Sequence, residues 1–192
     1  MTKSELDKSL KQDAASNGFS VDGDYLIFDR TSNLSYMVLP GFSLGDLLTA
    51  NPVSLTRLNK NLLVVLNNIA EKFALPIHIR ASYHSPEYNL LSFGCLDSEL
   101  YTKGDALSVG VEPDSLDAFN DIVKSVFKTG ETGYYKWGVH LGWSKEVKDW
   151  DKRFDDSFIQ KVKDLITNDK LKNIILIGGA AAAVWFFLLR KK

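Results

Sequence analysis

The chain has 192 residues, 45% hydrophobic and 24% charged, enough for one domain with a real core plus appendages. A formal net charge of -1, with no basic stripe interleaved with aromatics, argues against nucleic acid as a partner. The single cysteine, Cys95, excludes an intrachain disulfide and a cysteine–histidine zinc knuckle.

The first 20 residues, beginning "MTKSELDKSLKQDAASNG", read as a polar, partly helical arm. They have no apolar core of the kind a secretory leader carries. "DYLIFDRTSNLSYMVL" reads as two short strands joined by a turn at residues 30–33. "GFSLGDLLTA" reads as a short helix, with Ser43 as N-cap and Asp46 three residues on, the spacing of a capping box. A longer helix follows Ser54, with Leu55, Leu58, Leu62, Val65, Leu66, Ile69 and Phe73 at helical spacing. Pro76 bounds "IHIRAS", an alternating strand with Ile77, Ile79 and Ala81 on one face. "YHSPEYNLLSFG" is a loop with Pro86 near a helix start.

"GDALSVGV" reads as a strand with Ala106, Ser108 and Gly110 on one face and Asp105, Leu107, Val109 and Val111 on the other. Pro113 opens a helix that keeps Leu116, Phe119, Ile122, Val123, Val126 and Phe127 in phase. "GYYKWGVHLGW" alternates throughout and reads as one strand. Tyr135, Trp137, Val139, Leu141 and Trp143 make its apolar face; Tyr134, Lys136, Gly138, His140 and Gly142 make the other. Beyond it, Lys145, Lys148, Lys152 and Arg153 alternate with acids, as on a solvated surface. The element order predicts a compact α+β domain with a small antiparallel sheet and packed helices.

The C-terminal part differs in character. "DDSFIQKVKDLI" puts Phe158, Val162, Leu165 and Ile166 on one stripe, an amphipathic connecting helix over 155–172. Residues 174–189, "IILIGGAAAAVWFFLL", carry no charge and are followed by "RKK". As a helix they span about 24 Å, slightly short of a hydrocarbon core of about 30 Å. A buried core helix is the plain alternative. Apolar residues on every face and the cationic end favour a transmembrane anchor over 173–192. Ile174, Gly178, Trp185 and Leu189 lie in the span, and Arg190 snorkels at its end. The small-residue run 178–183 permits self-association through the anchor. The expected organisation is an arm and strand over 1–35, a main domain over 36–154, the connecting helix and the anchor.

Four segments, "FSLGDLL", "PIHIRASYHSPEYN", "TKGDALSV" and "WGVHLGW", occur in the order and approximate spacing of a known set of motifs. Together they resemble the zinc D-Ala-D-Ala carboxypeptidases, peptidoglycan peptidases that share a fold with hedgehog signalling domains. The resemblance covers roughly residues 41–145 and is strongest at "SYHSPEYN" and around Gly104. It implies that fold for 36–154. It also implies a metal site of three protein ligands with a carboxylate acting as general base on the metal-bound water.

Carried over position by position, the three ligands fall on Tyr101, Ser108 and His140, and only His140 matches. The general base falls on Trp137, and the substrate-binding arginine on His84. Asp105 is three positions from Ser108, so strand alternation sends it to the opposite face. A rearranged site of His84, His140 and Tyr101 would have poor zinc ligands. No catalytic residue, metal ligand or cofactor is therefore expected, and zinc enters only under the alternative of an active peptidase with an altered site.

Tyr83, His84, Tyr101, Ser108 and His140 line the expected cleft. The small residues Ala106, Gly110, Gly138 and Gly142 would form a shallow groove there. Two readings of His140 stand, a partly exposed strand histidine or a remnant ligand. Tyr83 and Tyr88 are packing residues or stacking platforms for sugar rings. The expected protein is a membrane-anchored, catalytically inactive peptidase-like domain acting as a structural or wall-binding component. Its expected setting is a membrane-containing bacteriophage virion or a bacterial envelope. Its expected partners are the lipid bilayer and peptidoglycan or capsid and vertex proteins.

Overall fold

The computed structural model describes residues 1–48, 55–85 and 99–152. The predicted connecting helix and anchor lie outside the described residues, as do Ser54, Pro86 and Tyr88. Residues Met1–Arg153 form one compact unit.

The N-terminal segment is a complete helix, α1 (Lys3–Asn17), rather than a partly helical arm. Thr2 and Glu5 form a capping box, and Gly18 ends the helix in the left-handed conformation that glycine adopts without steric cost. Leu6 and Leu10, one turn apart, enter the common core. Asp7 on the same helix pairs with the buried ammonium of Lys60. Two large apolar residues in fifteen make a faint sequence pattern, which is why the segment reads as polar.

Next come β1 (Ser20–Asp22) and β2 (Tyr25–Asp29), then β3 (Met37–Leu39), β4 (Phe42–Ser43) and α2 (Leu44–Leu47). The two strands predicted in this region exist but do not pair with each other. β2 joins β1 and β5 (Leu55–Asn59) in a three-stranded antiparallel sheet, while β3 pairs with β4. The capping box at Ser43 and Asp46 forms as predicted.

The helix expected to start after Ser54 is two elements. Residues 55–59 are the strand β5, and α3 (Lys60–Phe73) begins only at the cap Asn59, whose side chain accepts from the Asn61 amide at 2.9 Å. Leu55, Leu58 and Leu62 are spaced three and four apart, which fits a helix and a strand-to-helix junction equally well. From Leu62 to Phe73 the predicted stripe is the buried face of α3. Each fully buried leucine there contributes roughly 1.5–3 kcal/mol.

The main sheet has the order β10-β8-β9-β7-β6, made of β6 (His78–Ala81), β7 (Ala106–Gly110), β8 (Glu131–Tyr135), β9 (Gly138–Gly142) and β10 (Lys148–Asp151). Its pairs are antiparallel except at the edge, where β10 runs parallel to β8. The predicted α+β class with small antiparallel sheets and packed helices is what the chain adopts. Leu107, Val109, Val139, Leu141 and Tyr134 belong to the hydrophobic core. So do Phe119, Val123 and Phe127 of α5 (Leu116–Val126) and its C-terminal flank. Phe73 of α3 meets Phe119 of α5 edge to face at 4.9 Å.

"GYYKWGVHLGW" is a hairpin rather than one strand. Lys136 and Trp137 form the two-residue link between β8 and β9. Tyr134 pairs with Val139, and Tyr135 pairs with Gly138. The turn thus swaps the faces assigned to the tyrosines: Tyr134 goes to the core and Tyr135 to the other side. An alternation of period two continues through a two-residue link, so the pattern alone does not register the reversal.

Candidate functional site

The face of the main sheet opposite the core carries the predicted site. Directly paired residues share a face. One row across the strands therefore reads Trp150, Gly133, His140, Ser108 and Ala81. Tyr101 is brought against this row by the short helix α4 (Glu99–Lys103).

The link from α4 to β7 is fixed by backbone. Gly104, at φ +79, ends the helix, with the Asp105 amide donating to the Leu100 carbonyl at 2.7 Å and the Gly104 amide to that of Tyr101 at 3.2 Å. This is a Schellman cap. A Cβ on Gly104 would stand 2.4 Å from the Arg57 carbonyl oxygen, so only glycine fits. Asp105 lies on the opposite side from Ser108, as strand alternation requires. There it accepts from the Tyr25 hydroxyl at 3.0 Å and from Asn59 Nδ2 at 2.7 Å. It ties the two sheets together and does not enter the site.

Tyr101, Ser108 and His140, thirty-nine residues apart at the extremes, converge on one another. The Tyr101 hydroxyl is 2.9 Å from His140 Nδ1 and in hydrogen-bond contact with Ser108 Oγ. Two proton orders satisfy the set. In one, Ser108 donates to Tyr101, which donates to His140; in the other, the neutral imidazole donates to Tyr101, which donates to Ser108. His84 stacks flat on the Tyr101 ring, centroids 4.5 Å apart at 12°, and its amide donates to the Tyr101 carbonyl at 3.2 Å. Trp150 closes the other side, with its ring 5.5 Å from that of His140.

His140 is 9% exposed and Ser108 4%, which corrects the reading of His140 as a partly exposed histidine. The small residues do not leave an open groove, because neighbouring side chains fill the space above them. A Cβ on Gly133 would meet the Trp150 indole at 2.4 Å, one on Gly142 the Leu100 side chain at 2.6 Å, and one on Gly110 the Arg80 Nε at 2.6 Å.

The electrostatics follow from this burial. Loss of solvent pushes the His140 imidazole down to about 4, so it is neutral at neutral pH. Tyr101 as a residue is partly exposed, but its hydroxyl end lies inside the cluster, and burial raises its pKa far above the usual range. The Tyr101 hydroxyl, Ser108 Oγ and His140 Nδ1 thus bond one another as neutral groups.

These residues do not fit a catalytic zinc. Burial keeps the phenol protonated, the serine hydroxyl is a neutral donor, and His140 Nδ1 is engaged by Tyr101. The rearranged set of His84, His140 and Tyr101 would need the same phenol ionised. Among the described residues, no three His, Cys, Asp or Glu side chains gather as a metal-holding group.

Trp137, on which the resemblance would place the general base, sits in the hairpin link and stacks on Tyr135, centroids 4.9 Å apart at 12°. It is 38% exposed. Tyr83 is half-buried beside His84 in the irregular segment after β6. Sequence reasoning missed Trp150, Gly133 and Tyr135 as parts of this face. The Trp150 Nε1 donates to the Tyr135 hydroxyl at 3.1 Å. The one local signal was Gly138 directly after "KW", a two-residue link followed by the glycine a reversal favours.

No family model matches the chain, and no curated protein or solved structure matches it.

Proposed function

We propose that the chain is a membrane-anchored, peptidase-derived domain that has lost hydrolysis and acts as a wall-binding or structural component, set in the virion of a membrane-containing bacteriophage. One observation carries this reading. The three positions at which the resembling family holds its metal come together across α4, β7 and β9, filled by side chains that bond one another. A phenol hydroxyl at their centre does the structural work of joining the three elements. The carboxylate position is taken by an indole, which has no proton-accepting group to activate water. The uncharged run at 174–189, followed by "RKK", supports anchoring in a bilayer.

Zinc content of the full chain, purified in detergent and dialysed, tests the chemistry. Well below one zinc per chain is expected, with no chelator-sensitive release of peptides from purified sacculi. One zinc per chain that disappears in His140→Ala would overturn the proposal in favour of an active peptidase with an altered site. The positional reading has its own test. The double variant Tyr101→His/Ser108→Asp restores two ligand types beside His140 and is expected to take up one zinc per chain, with stabilisation that a chelator reverses. Failure of that folded variant to bind zinc would count against the family relationship.

A further inference from the structure

On the other face of the main sheet, a cavity of about 260 Å³ lies between the C-terminal end of α5 and the β8–β10 edge. Its floor is Thr132 and Tyr134 of β8, which alternate with Gly133 and so point away from the His140 row. Thr132 is 3% exposed, its hydroxyl bonds nothing among the described residues, and the surface it keeps opens on this cavity. Asp149 of β10 stands directly opposite Thr132 and lines the same space. Across from it, Lys124 and Lys128 bring two ammonium groups from α5 and the segment after it. The Lys124 Nζ rides over the Tyr134 ring, 5.1 Å from its centroid. Lys124, Lys128 and Asp149 are exposed, and none of them makes an ion pair with the described residues.

A lysine in the last turn of a helix offsets the helix dipole, and that accounts for Lys124. It does not account for an almost buried hydroxyl left unbonded on the floor, nor for cations and a carboxylate that line one cavity without pairing. Such a cavity complements a ligand with the opposite arrangement, an anionic group joined to an ammonium group. Lysine ammonium groups are point charges, and phosphate oxygens point in several directions. Two ammonium groups and a hydroxyl can therefore meet one phosphate from different sides. A planar carboxylate is better matched by the fork of an arginine, and no arginine lines this cavity among the described residues. Pockets for drug-sized ligands measure roughly 300–1,000 Å³, so this one suits a smaller molecule.

We propose that this cavity binds a phosphate ester carrying a primary ammonium group, the chemistry of ethanolamine phosphate. The phosphate sits on Lys124, Lys128 and the Thr132 hydroxyl, and the ammonium on Asp149. The ester is either free or the headgroup of a lipid. The chemistry is independent of the wall-binding reading; only the lipid source draws on the bilayer anchor.

Calorimetric titration of the full chain in a non-ionic detergent tests this. The probes are O-phosphoethanolamine and glycerophosphoethanolamine, the deacylated lipid headgroup. Inorganic phosphate, which lacks the ammonium, and β-alanine, which has a carboxylate in place of the phosphate, are the controls. Wild type is expected to bind at least one ester about tenfold more tightly than either control. Lys128→Gln is expected to weaken that ester about tenfold. Asp149→Asn is expected to weaken it as much while tightening inorganic phosphate, because the carboxylate no longer repels the anion. Lys8→Gln, an exposed change on α1, is expected to alter nothing. All three variants replace exposed side chains, and circular dichroism checks that they fold. Tighter binding of glycerophosphoethanolamine than of O-phosphoethanolamine assigns the lipid headgroup as source, and the reverse order assigns the free ester. No heat with either ester at millimolar concentration would overturn the proposal. So would inorganic phosphate or β-alanine bound as tightly as the better ester, or affinity unaltered in both Lys128→Gln and Asp149→Asn.

Discussion

Two rows of one sheet face, two residues apart along β7, β8 and β9, have taken opposite routes. The inner row, from Trp150 through His140 and Ser108, is covered by Tyr101 and His84, buried and neutral. The outer row, from His78 through Gly110 and Gly138 to Tyr135, has the exposed Arg80 over Gly110 and ends in the Tyr135–Trp137 stack. The backbone pairing is continuous between them, so the difference is one of covering. Where α4 lies on the sheet, the Tyr101 hydroxyl, Ser108 Oγ and His140 Nδ1 bond one another, because an unmatched buried group costs roughly 1–3 kcal/mol. Where α4 does not reach, the longer side chains of Arg80 and Trp137 lie over the sheet and stay exposed to water.

The largest effect should come from breaking the joint between the rows. Gly138 has φ +147, and a Cβ there would stand 2.0 Å from the Val109 carbonyl oxygen. Gly138→Ala is expected to cost on the order of 4 kcal/mol in urea denaturation of the full chain, through backbone strain and displacement of β7. A loss under about 1 kcal/mol would mean the two strands do not pack this closely.

Acid should act on the inner row through His140. His140 is held down to about 4 in the folded chain and titrates near 6.5 when unfolded. Between those values the unfolded state binds the extra proton, so this stability is complete above about pH 6.5 and drains as pH falls toward 4. The full term is on the order of 3 kcal/mol. It is expected as a steeper fall in stability over that window in wild type than in His140→Gln. Equal pH profiles would show that His140 is not buried neutral.

Removing only the central hydroxyl tests the network. Tyr101→Phe leaves His140 Nδ1 and Ser108 Oγ facing a ring edge, and a loss of about 2 kcal/mol is expected. The ring itself still stacks on His84, so a loss as large as that of Tyr101→Ala would assign the effect to packing instead. Smallest of all is the stability effect of Trp137→Ala, about 1 kcal/mol from the lost stack on Tyr135. If this outer-row change destabilised the chain more than Tyr101→Phe, the contrast between a buried, bonded inner row and an exposed outer row would fail.

Local chemistry was the most legible layer. The Ser43 and Asp46 capping box, the buried stripe of α3 from Leu62 onward, the phase of α5 and the alternation of β7 all follow from spacing within one element. The misreadings came where one spacing fits two structures. Leu55 and Leu58 sit at helical intervals from Leu62 but belong to a strand, because Asn59 starts the helix later. The hairpin at Lys136 and Trp137 preserves the alternation that a single strand would have. Trp150 was invisible as a site residue because its place beside His140 depends on a parallel edge pairing that nothing near it in the chain announces.

By itself the sequence determined that Tyr101 brings a phenol, Ser108 a hydroxyl, His140 an imidazole and Trp137 an indole. It also determined that residues 174–189 carry no charge. These are properties of side chains wherever they fold. Only the tertiary structure decided that Tyr101, Ser108 and His140 meet, that burial keeps the His140 imidazole neutral, and that Arg80 and Trp137 stay exposed. The reason is that protonation and hydrogen bonding depend on what covers a group, and α4 covers one row of this sheet and not the next.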